Sequence, residues 1–162
     1  MSLLKPTLAE SKIIVHTPRL EDLWYIMRNL KDNDAKKTKF DLAVRGMCED
    51  ELVEKWHNES VAKWMFLYEN KILFACGLFK LKDNTGYALW WEPTKECEKL
   101  KKTYGYAALM AAEILKQHGG TIWTCTPLWY TQNIRATKHL GFKEVGEYLM
   151  FGEEFLLFKM EN

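Results

Sequence analysis

The chain has 162 residues, 48% of them apolar and 28% charged, the balance of one globular domain that can bury a core without staples. Lysine and arginine number 23 against 22 aspartates and glutamates, so no basic field draws the molecule to nucleic acid, and no sequence-specific nucleic-acid partner is expected. Cys48, Cys76, Cys97 and Cys125 stand far apart without a C-x-x-C pair, which argues for a reducing compartment and against a disulfide framework or zinc site.

No apolar run approaches the roughly 18 residues of a membrane span, and Met1–Lys5 lacks the charged-then-apolar layout of a signal peptide. A soluble, cytoplasmic protein is the expectation. Aromatic residues make up 14%, with seven tryptophans, so an aromatic-rich core is expected, with some rings left for a pocket or partner surface.

Ile13-Ile14-Val15 predicts a short strand. Thr17 and Pro18 then suit an N-cap and first helical position, and Leu20, Leu23, Met27 and Leu30 follow at helical spacing. That helix is expected to end in the polar stretch Lys31–Lys39, and Phe40–Arg45 is ambiguous. Leu52, Val53 and Trp56 mark a second helix over Glu49–His57. Trp64–Tyr68 and Ile72–Leu81 read as strands joined by Glu69-Asn70-Lys71, and Asp83–Gly86 turns the chain into a third strand, Tyr87–Trp91.

The period then changes. Tyr106–Lys116 is rich in strong helix formers and stops at His118-Gly119-Gly120. A strand over Thr121–Cys125, a short helix over Asn133–His139, and a closing hairpin of Phe142–Met150 with Phe155–Met160 complete the chain. The expected order is β-α-α-β-β-β-α-β-α-β-β in a single domain spanning residues 1–162, an α+β fold without repeats or linkers.

Lys102-Thr103-Tyr104-Gly105-Tyr106-Ala107 is the most informative segment. A glycine-containing loop opening into a helix presents unpaired backbone N–H groups, and the positive end of the helix dipole points the same way. Such a place binds phosphate or pyrophosphate, with Lys99, Lys101 and Lys102 adding charge at the rim. The competing reading is an ordinary loop whose glycine relieves a turn.

Lys102-x-x-Gly105-x-Ala107 resembles the signature of GNAT (GCN5-related N-acetyltransferase) proteins, Gln/Arg-x-x-Gly-x-Gly/Ala, with lysine in the first place. Asn133–Phe142, a helix ending in Gly-Phe, is similar to the family's second acetyl-CoA segment, and Thr17–Leu23 to its opening. The resemblance implies a GNAT fold: a mixed, mostly antiparallel central sheet flanked by helices. It also implies acetyl-CoA as co-substrate and an amine on a small molecule or protein as acceptor.

Two features depart from the pattern. The stretch from Asn133 to Gly141 is about one helical turn short, so that Tyr130 falls nearer the family's cofactor-facing position. Glu92–Lys101 is longer than the usual link. With the Trp-rich strand and the Ile134-Arg135-x-x-Lys138-x-x-Gly141 run, they are similar to GNAT-like internal virion proteins of short-tailed phages, a group in which the fold can be kept without the chemistry. The alternative expectation is therefore a non-catalytic virion or assembly protein. It would reside in the host cytoplasm or the particle, with virion proteins or a second copy as partner. Its contact anchors would come from Trp24, Trp56, Trp64, Trp129 and Tyr130.

In the family's mechanism an amine attacks the thioester carbonyl directly, backbone N–H groups of the fourth strand polarise that carbonyl, and a base takes the amine proton. The resemblance implies Trp90, Trp91, Lys102, Thr103, Tyr104, Gly105, Tyr106, Ala107 and Asn133 for the cofactor. By position, Glu92 is the candidate base and Tyr130 the candidate acid, each with a bland alternative: a solvated carboxylate before Pro93, and a loop aromatic on the core. Tyr104 and Tyr106 are expected to pack or to flank the cofactor. His16, His57, His118 and His139 have no metal spacing, and no metal is expected. Cys125 is a conceivable nucleophile, but without an obvious base nearby it reads as a small core residue; Lys36, Lys37, Lys39 and Arg45 read as a solvated basic face.

Overall fold

The computed structural model describes residues 12–161, so the Met1–Lys5 segment lies outside the described residues. The elements are β1 (Ile13–His16), α1 (Leu20–Arg28), α2 (Asp32–Arg45), α3 (Glu49–Glu59), β2 (Ser60–Tyr68), β3 (Lys71–Lys80), β4 (Tyr87–Pro93), α4 (Glu96–Lys99), α5 (Lys101–His118), β5 (Thr121–Pro127), α6 (Thr131–His139), β6 (Lys143–Met150) and β7 (Glu153–Glu161). The strands form one mixed sheet in the order β1-β2-β3-β4-β5-β7-β6, antiparallel at every junction except β4 against β5.

Two helices differ from expectation. Residues 32–45, read as a polar stretch and an ambiguous segment, form α2, closed by Gly46 in the left-handed conformation. Its buried residues are Asp34 and Thr38, both polar, so the apolar periodicity that signals a helix is missing. The central helix starts at Lys101 rather than Tyr106, with the single turn α4 ahead of it. Lys101 and Lys102 are good helix formers, and Gly105 costs less than the rest of the helix supplies. The first helix starts at Leu20, not at Thr17-Pro18, because the Asp22 carboxylate accepts from the Arg19 backbone N–H at 2.9 Å and fixes Arg19 as the cap.

The apolar residues sort onto the two sheet faces. Leu23, Ile26 and Met27 of α1 and Leu52, Val53 and Trp56 of α3 pack on one face against Met65, Ala75 and Trp90. Ala107 and Ala111 of α5 pack on the other against Phe66, Phe74 and Cys76. A third cluster joins Leu115 of α5 to Ile122, Phe158 and Met160 of β5 and β7.

Trp90 ties the first face together. Its ring stacks on Trp56 at 5.2 Å, and its Nε1–H donates to Ser60 Oγ at 2.8 Å. The space for that ring exists because Gly77 lies opposite Trp90 in the β3–β4 register; a Cβ there would stand 2.5 Å from the indole. Gly77→Ala is therefore expected to destabilise the fold by about 1–3 kcal/mol, through overpacking. Urea unfolding should show the midpoint fall with little change in slope; an unchanged midpoint would mean the ring moves aside freely.

Candidate active site

The cleft between β4 and β5 follows from where each strand finds its partners. The two pair only at Tyr87–Ile122 and Ala88–Trp123. Beyond that point β5 stays with β7 as far as Pro127. The end of β4 is instead held by the entry to α2: Lys31 N–H donates to Pro93 O, Lys95 N–H donates to Asn29 O, and Leu30 bridges Thr94. Anchored to different neighbours, the strands part, and the edge of β4 from Leu89 onward lacks a strand partner on that side.

A cavity of about 530 Å³ occupies the gap. Leu89, Trp91, Thr124 and Cys125 line it from the strands, Tyr104, Gly105 and Ala108 from α5, and Asn133, Ala136 and Thr137 from α6. Lys37, Thr38, Phe40 and Asp41 of α2 close it on the opposite face.

Glu92 lies on that wall at 6% exposure, in a cross-strand row with Ala75 and Met65. Its Oε2 accepts from Thr38 Oγ1 at 3.3 Å. Burial pushes the Glu92 carboxyl up to about 8; Lys37 and the Thr38 hydrogen bond pull it down, and Asp34 and Asp41 push it further up. Burial would lower the Lys37 ammonium, but Glu92, Asp34, Cys125 and Asp41 outweigh it and leave Lys37 above its ordinary value. Lys37 thus does not belong to a solvated face, as its sequence neighbours suggested. Asp34, Lys37, Thr38 and Asp41 are spaced as one side of a helix, and that polar stripe was the available signal for the site.

Tyr130 is 3% exposed and donates its hydroxyl proton to Asp34 Oδ2 at 2.6 Å. Burial, then the Asp34 carboxylate, push the phenol above its ordinary value. This bond fastens the segment before α6 to the first turn of α2, and it places Tyr130 behind the cavity rather than in its lining. Tyr104 is in the lining. Its hydroxyl accepts from Trp91 Nε1–H at 2.9 Å, and burial raises its pKa well above the ordinary phenol value.

The segment Lys102–Ala107 is helix rather than loop, so the amide of Gly105 lies beyond the first bond of α5, Tyr104 N–H to Leu100 O. The amides ahead of that bond are those of Lys101, Lys102 and Thr103, in a first turn without acidic residues. Of the six residues, Tyr104 and Gly105 line the cavity; Thr103 and Ala107 are buried, Tyr106 packs on the second cluster and Lys102 is exposed. Around Gly105 a Cβ would meet nothing within 4 Å. Trp90 and Trp91 both border the cavity, and Trp91 stacks on Phe74 at 4.5 Å. Asn133 also borders it and donates from Nδ2 to Thr126 Oγ1 at 3.0 Å. Cys125 is half-buried in the lining, not a core residue.

Of the proposed contact anchors, Trp56 (2% exposed) and Tyr130 are buried and unavailable to a partner; Trp24, Trp64 and Trp129 are half-buried. Among the described residues no cluster of three or more His, Cys, Asp or Glu could hold a metal, and no helix is long and apolar enough to cross a membrane.

No protein-family model matches the sequence, and no curated protein sequence matches it significantly. Solved structures do match. The GNAT-family acetyltransferase of Bacillus anthracis aligns over 93% of this chain and 95% of its own, at 13% identity and a TM-score of 0.66. The ribosomal-protein-S18-alanine N-acetyltransferase of Escherichia coli aligns over 91% and 92%, at 11% and 0.64. The yncA protein of Salmonella typhimurium, solved with its cofactor acetyl-CoA, aligns over 93% and 94%, at 9% and 0.64. At these identities the likeness is one of architecture, and the chain has the GNAT fold: a seven-stranded mixed sheet flanked by helices and opened between its fourth and fifth strands.

Proposed function

We propose that this protein is an acetyl-CoA-dependent N-acetyltransferase that transfers an acetyl group to an amine by direct attack. The observation that carries this reading is Glu92, a buried carboxyl with a raised pKa on the wall of the cavity between β4 and β5. A base near neutrality within reach of a bound amine is what such a transfer requires.

The residues present fit acetyl-CoA. The amides of Lys101, Lys102 and Thr103 begin α5 with the positive end of its dipole, and Lys99, Lys101 and Lys102 are exposed beside them, suited to the pyrophosphate. Gly105 leaves the cavity floor open where a side chain would project. The cofactor supplies an activated acetyl thioester. The chain supplies backbone N–H groups on the free edge of β4, which donate to the thioester oxygen, and Glu92, which takes the amine proton. Tyr104 accepts from Trp91, so its own proton is free for the departing sulfur, the role first assigned to Tyr130, whose proton goes to Asp34. The non-catalytic virion reading shares this fold, and no observation among the described residues favours it.

Millimolar acetyl-CoA should raise the melting temperature by mass action on the native state. Gly105→Ala should stabilise the free protein by about 0.5–1 kcal/mol, since the helix gains and nothing clashes. The same change should weaken cofactor binding, and Gly105→Glu should abolish it. A melting temperature indifferent to acetyl-CoA in the unaltered protein would end this reading.

Glu92→Gln should lower turnover by roughly 10²–10⁴-fold with cofactor affinity nearly unchanged. In the unaltered protein kcat/KM should climb with pH through an apparent pKa near 8, and Lys37→Met should move that limb to higher pH, because Lys37 holds the Glu92 carboxyl down.

Glu92 also sets a pH dependence of stability. Its folded pKa is raised from 4.5 to about 8, so the stability carried by the protonated form is full below about 4.5 and is lost as the pH rises through about 8. Glu92→Gln should remove that loss. Urea midpoints of variant and parent should diverge in the variant's favour across this window, and parallel curves would count against the burial argument.

A further inference from the structure

Residues of α2 and of the β6–β7 hairpin also line the cavity. The wall there is aromatic. Phe40 meets Phe155 at 5.7 Å between ring centroids, and Phe155 stacks on Tyr148 at 5.4 Å, so three side chains from α2, β7 and β6 form one continuous apolar surface. Met150 and Phe79 line the same cavity.

The charges on the lining are few. Among the described residues Asp41 and Glu92 are the carboxylates of the lining, and Lys37 and Arg45 its lysine and arginine. Asp41 is bound to Arg45 at 2.9 Å, one turn along α2. Asp34, the next carboxylate on that helix, accepts from Tyr130 and is outside the lining. Glu92 is therefore the one carboxyl of the lining left to take an amine's proton, and Lys37 stands beside it. A second ammonium on the substrate would find no carboxylate of its own and would pay desolvation against aromatic rings.

Resting on the transferase reading above, we infer that the acceptor is a primary monoamine with an aromatic or branched apolar body, its nitrogen at Glu92 and its body against Phe40, Tyr148 and Phe155. Polyamines lack a second anchoring site here. An α-amino acid would have to bury its carboxylate against these rings, where Lys37 already faces Glu92 and Arg45 is bound to Asp41.

The test is a three-amine comparison on the intact protein, with phenylethylamine, spermidine and phenylalanine as probes. Binding is read by calorimetry on protein saturated with coenzyme A, and transfer by thiol release from acetyl-CoA. Phenylethylamine should bind, and its kcat/KM should exceed that of each of the other two by at least about tenfold, the discrimination a well-filled apolar pocket gives. Phe40→Ala should cost phenylethylamine about tenfold, mainly in KM, and cost ethylamine much less, with Phe40→Leu restoring most of the loss. A merely structural role for Phe40 would lower both amines alike and overturn the assignment. Spermidine or phenylalanine preferred over phenylethylamine, or no binding by any of the three, would also overturn it. Phenylethylamine binding without thiol release would support the pocket assignment and overturn the transferase reading instead.

Discussion

The arrangement depends on two adjacent parallel strands that are held by different neighbours. β4 and β5 share two residue pairs and then separate, because the end of β4 is tied to the entry of α2 and β5 remains zipped to β7. Gly86 keeps the paired end closed: it sits at φ +147°, where a Cβ would collide with the Thr121 carbonyl oxygen, so a side chain there would push β5 away from the β3–β4 turn. A sheet that is closed at one end and open at the other creates a cavity through its own plane, reached by α5 from one face and α2 from the other.

That opening explains the unusual character of α2. A helix packed on a sheet normally presents an apolar stripe. Here the stripe is Asp34, Lys37, Thr38 and Asp41, because the sheet under it is parted and what it covers is a cavity with Glu92 on the rim. Polar contacts therefore share in holding it: two backbone bonds at its start, the Tyr130–Asp34 hydrogen bond and Lys36 over the Trp129 ring at 4.1 Å, beside the apolar packing of Phe40 and Leu42. The electrostatics follow. Burial against Ala75 and Met65 favours the neutral Glu92 carboxyl, while Lys37 and Thr38 favour the anion. The balance leaves a carboxyl near neutrality where a structural ion pair would have left one well below it.

The strands were legible because β2, β3 and β4 carry β-branched and aromatic residues between strong turns; Glu69 and Asn70 take up the left-handed conformations that a tight hairpin needs. The second half of α5 was legible from its alanines and leucines. Its first turn was not, since Gly105 looks like a loop residue and only the burial of Thr103 and Ala107 on either side of it reveals it as helix. Glu92 was singled out by its position at the end of a strand, and the structure places it on the cavity wall. Lys37 was hidden among neighbouring lysines, and Tyr130 was given a role by its spacing that the bond to Asp34, 96 residues away in the chain, redirects to holding α2.

By itself, then, the sequence determined the local matters: where the chain turns, which segments are strands, which helix is central, and that a carboxylate ends the fourth strand. These depend on neighbours a few residues apart, whose propensities and periods are written in order along the chain. The tertiary structure decided that β4 and β5 part, that a polar helix lies over the gap, that Glu92 is buried beside Lys37, and that the phenol facing the cavity is Tyr104. Each of these depends on which of several local options a distant segment pays to desolvate or hydrogen-bond, and no local pattern carries that information.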